Sequence, residues 1–178
     1  MSDKLDKTTH LATTDLEVTF IEFEILLWRV YAAFARWQTN ATNFVSQYDL
    51  VAYDIAILHI IRMKARPKTA LDIAKLLNRD DLPNILYSIR KLLKYGLIKK
   101  AKNSTNSRKS VKKQLMFEIS ETGIKETDEF LKIKKEILIE KVNELAKDGF
   151  DFKPTIRALT IMTGIYDEAD RLATTYQK

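Results

Sequence analysis

The stretch that decides the fold runs from Thr69 to Lys102 and reads TALDIAKLLNRDDLPNILYSIRKLLKYGLIKKAK. Thr69 followed three residues later by Asp72 is a capping-box pattern, in which a hydroxyl accepts from the first turn and a carboxylate reaches back. It opens a short helix through Asn78 that carries Leu71, Ile73, Ala74, Leu76 and Leu77. The polar run Asn78, Arg79 and Asp80 is a turn. Asp81 as N-cap and Pro83 in the first turn then start a second helix. Its Leu82, Ile85, Leu86, Ile89, Leu92 and Leu93 form one apolar stripe, and Gly96 ends it. The opposite face presents Pro83, Asn84, Tyr87, Ser88, Arg90, Lys91 and Lys94. Two helices joined by a tight polar turn, the second with one polar face, are a helix-turn-helix.

Working outward, Leu97 and Ile98 lead into Lys99, Lys100 and Lys102, and the segment from Asn103 to Lys113 is polar, basic and free of acids. Leu115, Phe117 and Ile119 alternate with Met116 and Glu118, a strand signal. Strand, basic loop and strand make a hairpin, the wing. Upstream, Asp49 to Lys64 reads as a helix apolar on most sides, stopped by Arg66 and Pro67. Within it, Asp54 needs a partner if buried, and Arg29 or Arg36 could serve.

The ends are helical. From about Thr14 to Gln38, one apolar series contains Leu16, Phe20, Phe23, Leu27, Val30, Phe34 and Trp37, and a second contains Val18, Ile21, Ile25, Trp28, Ala32 and Ala35. The two stripes point to nearly opposite sides, so one is expected on the helix's own domain and the other against a partner subunit. A long charged helix follows Ser120 and Gly123 to about Lys147, Gly149 to Pro154 breaks it, and a last helix spans Thr155 to Tyr176 with Ile165 and Leu172 on its apolar side. The expected fold class is mainly α with a small β-hairpin wing: a winged helix-turn-helix with N- and C-terminal dimerisation helices. Residues 1–13 are expected as a disordered tail, 14–48 and 120–178 as the dimerisation region, and 49–119 as the DNA-binding region.

Charge is concentrated. The 178-residue chain has a net charge of +6, yet Arg79 to Lys113 holds eleven basic residues against Asp80 and Asp81 alone. The rest of the chain is therefore net acidic, which marks this one segment as a polyanion-binding face. Asn84, Tyr87, Ser88 and Lys91 are expected to face the bases or phosphates of double-stranded DNA, with Thr69, Pro83, Arg90 and Lys94 beside them. Lys102, Lys112 and Lys113 are expected on phosphates, with Arg108 and Lys109 at the wing tip near a minor groove. Replacing Lys91 with Ala is expected to weaken binding without unfolding the protein.

Other classes are excluded or disfavoured. There is no Cys, so thiol catalysis and thiolate metal sites are ruled out. The chain holds two His and shows no phosphate-cradling Gly loop or metal-spaced cluster. It reads as a non-enzyme without cofactor or metal, and His59 as a core histidine. The segment Leu50 to Met63 is too short and too polar to span a bilayer, and the first fifteen residues hold no apolar signal stretch, so a cytoplasmic location is expected. The alternatives to a DNA-binding regulator are a winged-helix protein-interaction module and a nonspecific architectural DNA-binding protein.

The order of elements, sharpest in Thr69 to Lys102 with its Leu92, Gly96–Ile98 and Lys100 entry to the wing, resembles the multiple antibiotic resistance regulator (MarR) family of bacterial winged-helix repressors and activators. EISETGIKE, Glu118 to Glu126, is similar to that family's exit from the wing. The resemblance implies an obligate homodimer that reads a palindromic operator in successive major grooves, with Leu16, Phe20, Phe23, Ile165 and Leu172 at its interface. It also implies an aromatic or phenolic effector for some members, which Trp28, Tyr31, Trp37 and Tyr53 could receive, though aromatic core packing explains these residues as well. The chain departs from the family at the wing tip, where Asn106 to Ser110 contains no acid to hold an arginine in place.

Overall fold

The computed structural model describes residues 12–101 and 115–176. Most of the tail, residues 1–11, lies outside them, as do the wing residues Lys102, Arg108, Lys109, Lys112 and Lys113. The chain divides into two compact units, Met1–Lys132 and Ile133–Lys178.

In the first unit α1 spans Asp15–Val45. The Thr14 hydroxyl accepts from the Glu17 amide at 3.2 Å while the Glu17 carboxylate accepts from the Thr14 amide at 3.3 Å, a closed capping box. The helix continues past the expected end at Gln38 because neither Gly nor Pro interrupts it and its last turns are packed. Apart from Val18, its buried residues are Gln38, Ala41 and Thr42, and the Thr39 hydroxyl accepts from the Ala52 amide. This corrects the two-stripe expectation. The helix meets its own lobe through its C-terminal end, while Leu16 is 78% exposed, Trp28 74%, and Ile25, Val30 and Phe34 are also exposed.

The lobe is built on α2 (Ala52–Arg62), α3 (Ala70–Leu77) and α4 (Leu82–Lys94). Ile55, Ile57, Leu58 and Ile61 of α2 meet Ile73 of α3 and Ile85, Ile89 and Leu92 of α4 in one buried cluster, closed by Leu97, Ile98 and Phe117. The helical spacing of these residues forms the helices, and their shared burial supplies most of the lobe's cohesion. After α2 a 3-10 turn, Met63–Ala65, places Lys64 at φ 61° and Ala65 at φ 44°.

Three strands follow: β1 (Lys68–Thr69), β2 (Ile98–Lys100) and β3 (Met116–Ile119), in the order β1-β3-β2 and antiparallel throughout. The β2–β3 pair, with Ile98 opposite Ile119, gives the expected base of the wing. β1 was not anticipated, since a two-residue strand has no periodicity to read. It places Lys68 opposite Phe117 and buries that lysine, whose Nζ donates to the carbonyls of Ile61, Met63 and Arg66. The ammonium thus satisfies the Ile61 carbonyl in the last turn of α2 and those of Met63 and Arg66 in the segment that follows it.

α5 begins at Glu121 and is seated against the lobe by close backbone approach. A Cβ on Gly123 would stand 2.0 Å from the Leu97 carbonyl oxygen. Arg62 of α2 binds Asp128 at 2.6 Å and also donates to the Thr127 hydroxyl, while Phe130 packs against His59 with ring centroids 5.0 Å apart.

From Ile133 onward the second unit contains a π-helical turn (Lys134–Ile139), α6 (Glu140–Lys147) and α7 (Phe152–Tyr176). Pro154 was expected to mark a break but lies in the first turn of α7, where its missing N–H would have had no partner within the helix. Neither α6 nor α7 contains a buried residue.

Candidate nucleic-acid interface

The helix-turn-helix is set by one left-handed residue. Asn78 ends α3 at φ 50°, and the Arg79 amide then returns to the Ala74 carbonyl at 3.0 Å, turning the chain within the four residues 78–81. Asn tolerates this conformation better than other non-glycine residues. Thr69 caps the other end of α3: its hydroxyl accepts from the Asp72 amide, and Asp72 accepts from the Thr69 amide and hydroxyl. Those hydrogen bonds hold the Asp72 carboxyl below its ordinary range.

Asp81 occupies the N-cap position of α4 but its side chain makes no capping bond. The reason is local. Pro83 has no amide hydrogen to offer, and the Asn84 amide is already given to the Asp81 backbone carbonyl at 3.0 Å. The carboxylate turns to side chains instead. Oδ1 accepts from Arg79 Nε at 2.8 Å and the Tyr53 hydroxyl at 3.3 Å; Oδ2 accepts from Arg79 at 2.6 Å and Asn84 Nδ2 at 3.1 Å. The Arg79 guanidinium also lies 4.7 Å from the centroid of the Tyr53 ring. Above all the hydrogen bonds from Arg79, and then that from Asn84, hold the Asp81 carboxyl far below the usual carboxylate range. Burial raises the Tyr53 hydroxyl above its ordinary value.

On α4 itself, Pro83, Asn84, Leu86, Tyr87, Arg90 and Lys94 are exposed, and the helix contains no acid. Two residues of the expected contact face stand elsewhere. Ser88 is buried, because it lies three residues after Ile85 and four before Leu92, on the edge of the apolar stripe that packs against the lobe. Lys91 donates to Asp54 of α2 at 2.8 Å. Asp54 is therefore partnered by Lys91 rather than by Arg29 or Arg36, and it also accepts from the Val51 amide. Burial opposes the charge of Lys91, but the Asp54 hydrogen bond and charge outweigh it and raise the ammonium above its ordinary value. Replacing Lys91 with Ala, expected from the sequence to leave the protein folded, therefore also leaves a carboxylate only 2% exposed without its counter-charge.

Beyond α4, Lys99 and Lys100 of β2 are exposed, Lys99 lying 3.5 Å from Glu118 across the β2–β3 pair. Between α2 and α4 is a cleft of about 310 Å³ lined by Tyr53, Arg79, Asp81, Asn84 and Tyr87 with their neighbours. Of the four aromatic residues considered for an effector pocket, only Tyr53 lines it. Among the described residues no group of three or more His, Asp or Glu could hold a metal ion, and no helix is long and apolar enough to cross a membrane.

The Arg79–Asp81–Tyr53 cluster was missed by sequence reasoning. In the sequence Arg79 and Asp81 read only as turn and cap, and nothing in the spacing brings Tyr53, twenty-eight residues before Asp81, to the same place.

Residues 50–123 match the family model described as a winged helix DNA-binding domain. No curated protein matches the sequence. Among solved structures the chain is similar to the transcriptional regulator BldR from Sulfolobus solfataricus, with a TM-score of 0.60, 17% identity, and coverage of 85% of this chain and 99% of that one. It is similar also to a MarR/EmrR family transcriptional regulator from Acinetobacter sp. ADP1, with a TM-score of 0.57, 12% identity, and coverage of 89% and 99%. Wild-type apo MarR from E. coli gives a TM-score of 0.51 at 15% identity, covering 80% and 95%. The chain thus shares its fold with MarR-type transcriptional regulators, and within that fold residues 50–123 match the winged helix model.

Proposed function

We propose that the protein is a sequence-specific DNA-binding transcription regulator that binds a palindromic operator as a homodimer. The observation that carries this reading is the exposed, acid-free stripe of Pro83, Tyr87, Arg90 and Lys94, with Asn84 at its leading end, on the second helix of a winged helix-turn-helix. In this arrangement α4 enters the major groove by its N-terminal turn. Lys99 and Lys100, with the wing residues Lys102, Arg108, Lys109, Lys112 and Lys113, neutralise phosphate beside it. Thr69 at the start of α3 faces the backbone.

The homodimer is supported by apolar surface that one chain leaves uncovered. In α7, Ile156, Ile161, Ile165 and Leu172 are each at least half exposed, and in α1 Leu16, Trp28 and Val30 are as open. Helices of 25 and 31 residues with this exposure need a second layer, and a second copy presents the same faces. Leu16, Phe20, Phe23, Ile165 and Leu172 belong to it. An effector would act by altering the spacing of the two α4 helices, and so the affinity.

The test is selection from a pool of random duplex DNA at two salt concentrations, with the mass of the free protein measured in solution. A dimer that enriches a palindrome, with affinity falling steeply as salt rises, is the expected result. Salt-sensitive binding without enrichment would make the protein a nonspecific architectural one. Absence of binding at low salt would leave a protein-interaction module.

A further inference from the structure

Building on the DNA-binding reading, we infer that Asn84 is a base-reading residue for adenine, and that Asp81, clamped by Arg79 and Tyr53, is the positioning residue that sets its amide. The argument begins with the carboxylate. Its two oxygens accept four hydrogen bonds: from Arg79 twice, from Tyr53 and from Asn84. A carboxylate has about four lone-pair sites, so Asp81 has no acceptor left for a cytosine amino group. It serves as an anchor and not as a reader. The anchor is rigid because Arg79 grips it with two nitrogens and is itself laid over the Tyr53 ring on α2.

Asn84 is tied to that anchor through Nδ2 at 3.1 Å. The amide nitrogen has two hydrogens and spends one there, which fixes which end of the amide is nitrogen. One N–H donor and the Oδ1 acceptor remain. That pair is the complement of the major-groove edge of adenine, where N7 accepts and the N6 amino group donates. Guanine places O6 where adenine has its amino group, so Oδ1 would meet a second acceptor and the fit is lost. Asn84 is exposed and stands in the first turn of α4, the part of a recognition helix that reaches base edges. The negative charge beside it does not repel the duplex, since Arg79 neutralises Asp81 at contact distance.

Selection from random duplex DNA with wild-type protein, Asn84→Ala and Asp81→Asn distinguishes the outcomes. The wild type should enrich an A·T pair at one position of each half-site. Asn84→Ala, a change at an exposed helical position, should lose that preference alone, with the favoured sequence weakened on the order of ten- to a hundredfold and every other position retained. Asp81→Asn should relax the same position, because the amide offers one acceptor oxygen where the carboxylate offers two to Arg79 and Asn84, while the preferences at the other positions are retained. Wild-type enrichment with Asn84→Ala leaving every position unchanged, or weakening all positions equally, overturns the inference but not the DNA reading. A wild type that binds without enriching any sequence, or does not bind, overturns both.

Discussion

Lys91 of α4 and Asp54 of α2 form an ion pair at 2.8 Å, and the Asp54 side chain is 2% exposed. The second helix of the helix-turn-helix is therefore fastened to the core of its lobe through a charge that the sequence alone would assign to DNA. The pair also joins α4 to the first turn of α2, where Asp54 accepts from the Val51 amide.

Removing only the cation should be costly. Lys91→Met is expected to lower stability by roughly 3–5 kcal/mol, because it strands a buried carboxylate. Asp54→Leu combined with Lys91→Met should recover most of that loss, since neither charge then needs a partner. Chemical denaturation of the single and double variants measures both. A Lys91→Met variant as stable as the wild type would show that the pair contributes nothing.

Gly123 reverses the usual helix rule. Replacing a helical glycine with alanine ordinarily stabilises by about 1 kcal/mol. Here the added methyl would sit 2.0 Å from the Leu97 carbonyl oxygen, a backbone atom that cannot step aside. Gly123→Ala should instead destabilise, by roughly 1–3 kcal/mol or more, as the start of α5 is pushed off Leu97. Thermal unfolding reads the sign directly.

Asp72 should show in the acid limb of stability. Its folded carboxyl lies below the ordinary value of 3.8 because the Thr69 amide and hydroxyl donate to it. The unfolded chain thus takes up the proton first as pH falls. The stabilisation is present in full above the unfolded value and is lost as pH drops through the folded one. Asp72→Asn should cost about 1 kcal/mol at neutral pH, with the gap from wild type closing below about pH 4. A gap independent of pH would remove the carboxylate's charge from the account.

The uncovered apolar faces make a fourth test. Ile165 is half exposed in the single chain, so Ile165→Glu should leave the folded lobe intact by circular dichroism and thermal unfolding of its helices. If the face is the interface between two copies, the same change should shift the mass in solution from dimer to monomer. An unchanged dimer mass would place the interface elsewhere.

The helices of the lobe were legible because each is a local pattern: the stripe from Leu82 to Leu93, the Thr69–Asp72 box, and the polar turn at Asn78. Hydrogen bonds within a few residues and a period of 3.6 dictate those elements wherever the chain goes. The alternation of Leu115, Phe117 and Ile119 likewise announced the strand that returns from the wing. These residues also carried the resemblance to winged-helix regulators, so the element order was contained in the sequence.

Where each charge is used was decided only by tertiary structure. Lys91 and Lys94 are three residues apart on one helix and look alike in the sequence, yet Lys94 is exposed and Lys91 is held by Asp54, thirty-seven positions earlier. Lys68 reads as one more cation beside a proline but is buried against three carbonyls. Asp81 looks like an N-cap, and the absent amide of Pro83 together with the arrival of Tyr53 turns its carboxylate to Arg79 and Asn84. The physical reason is range: backbone periodicity and capping act over one or two turns, whereas an ion pair is made by whichever groups the packed core brings within 3–4 Å.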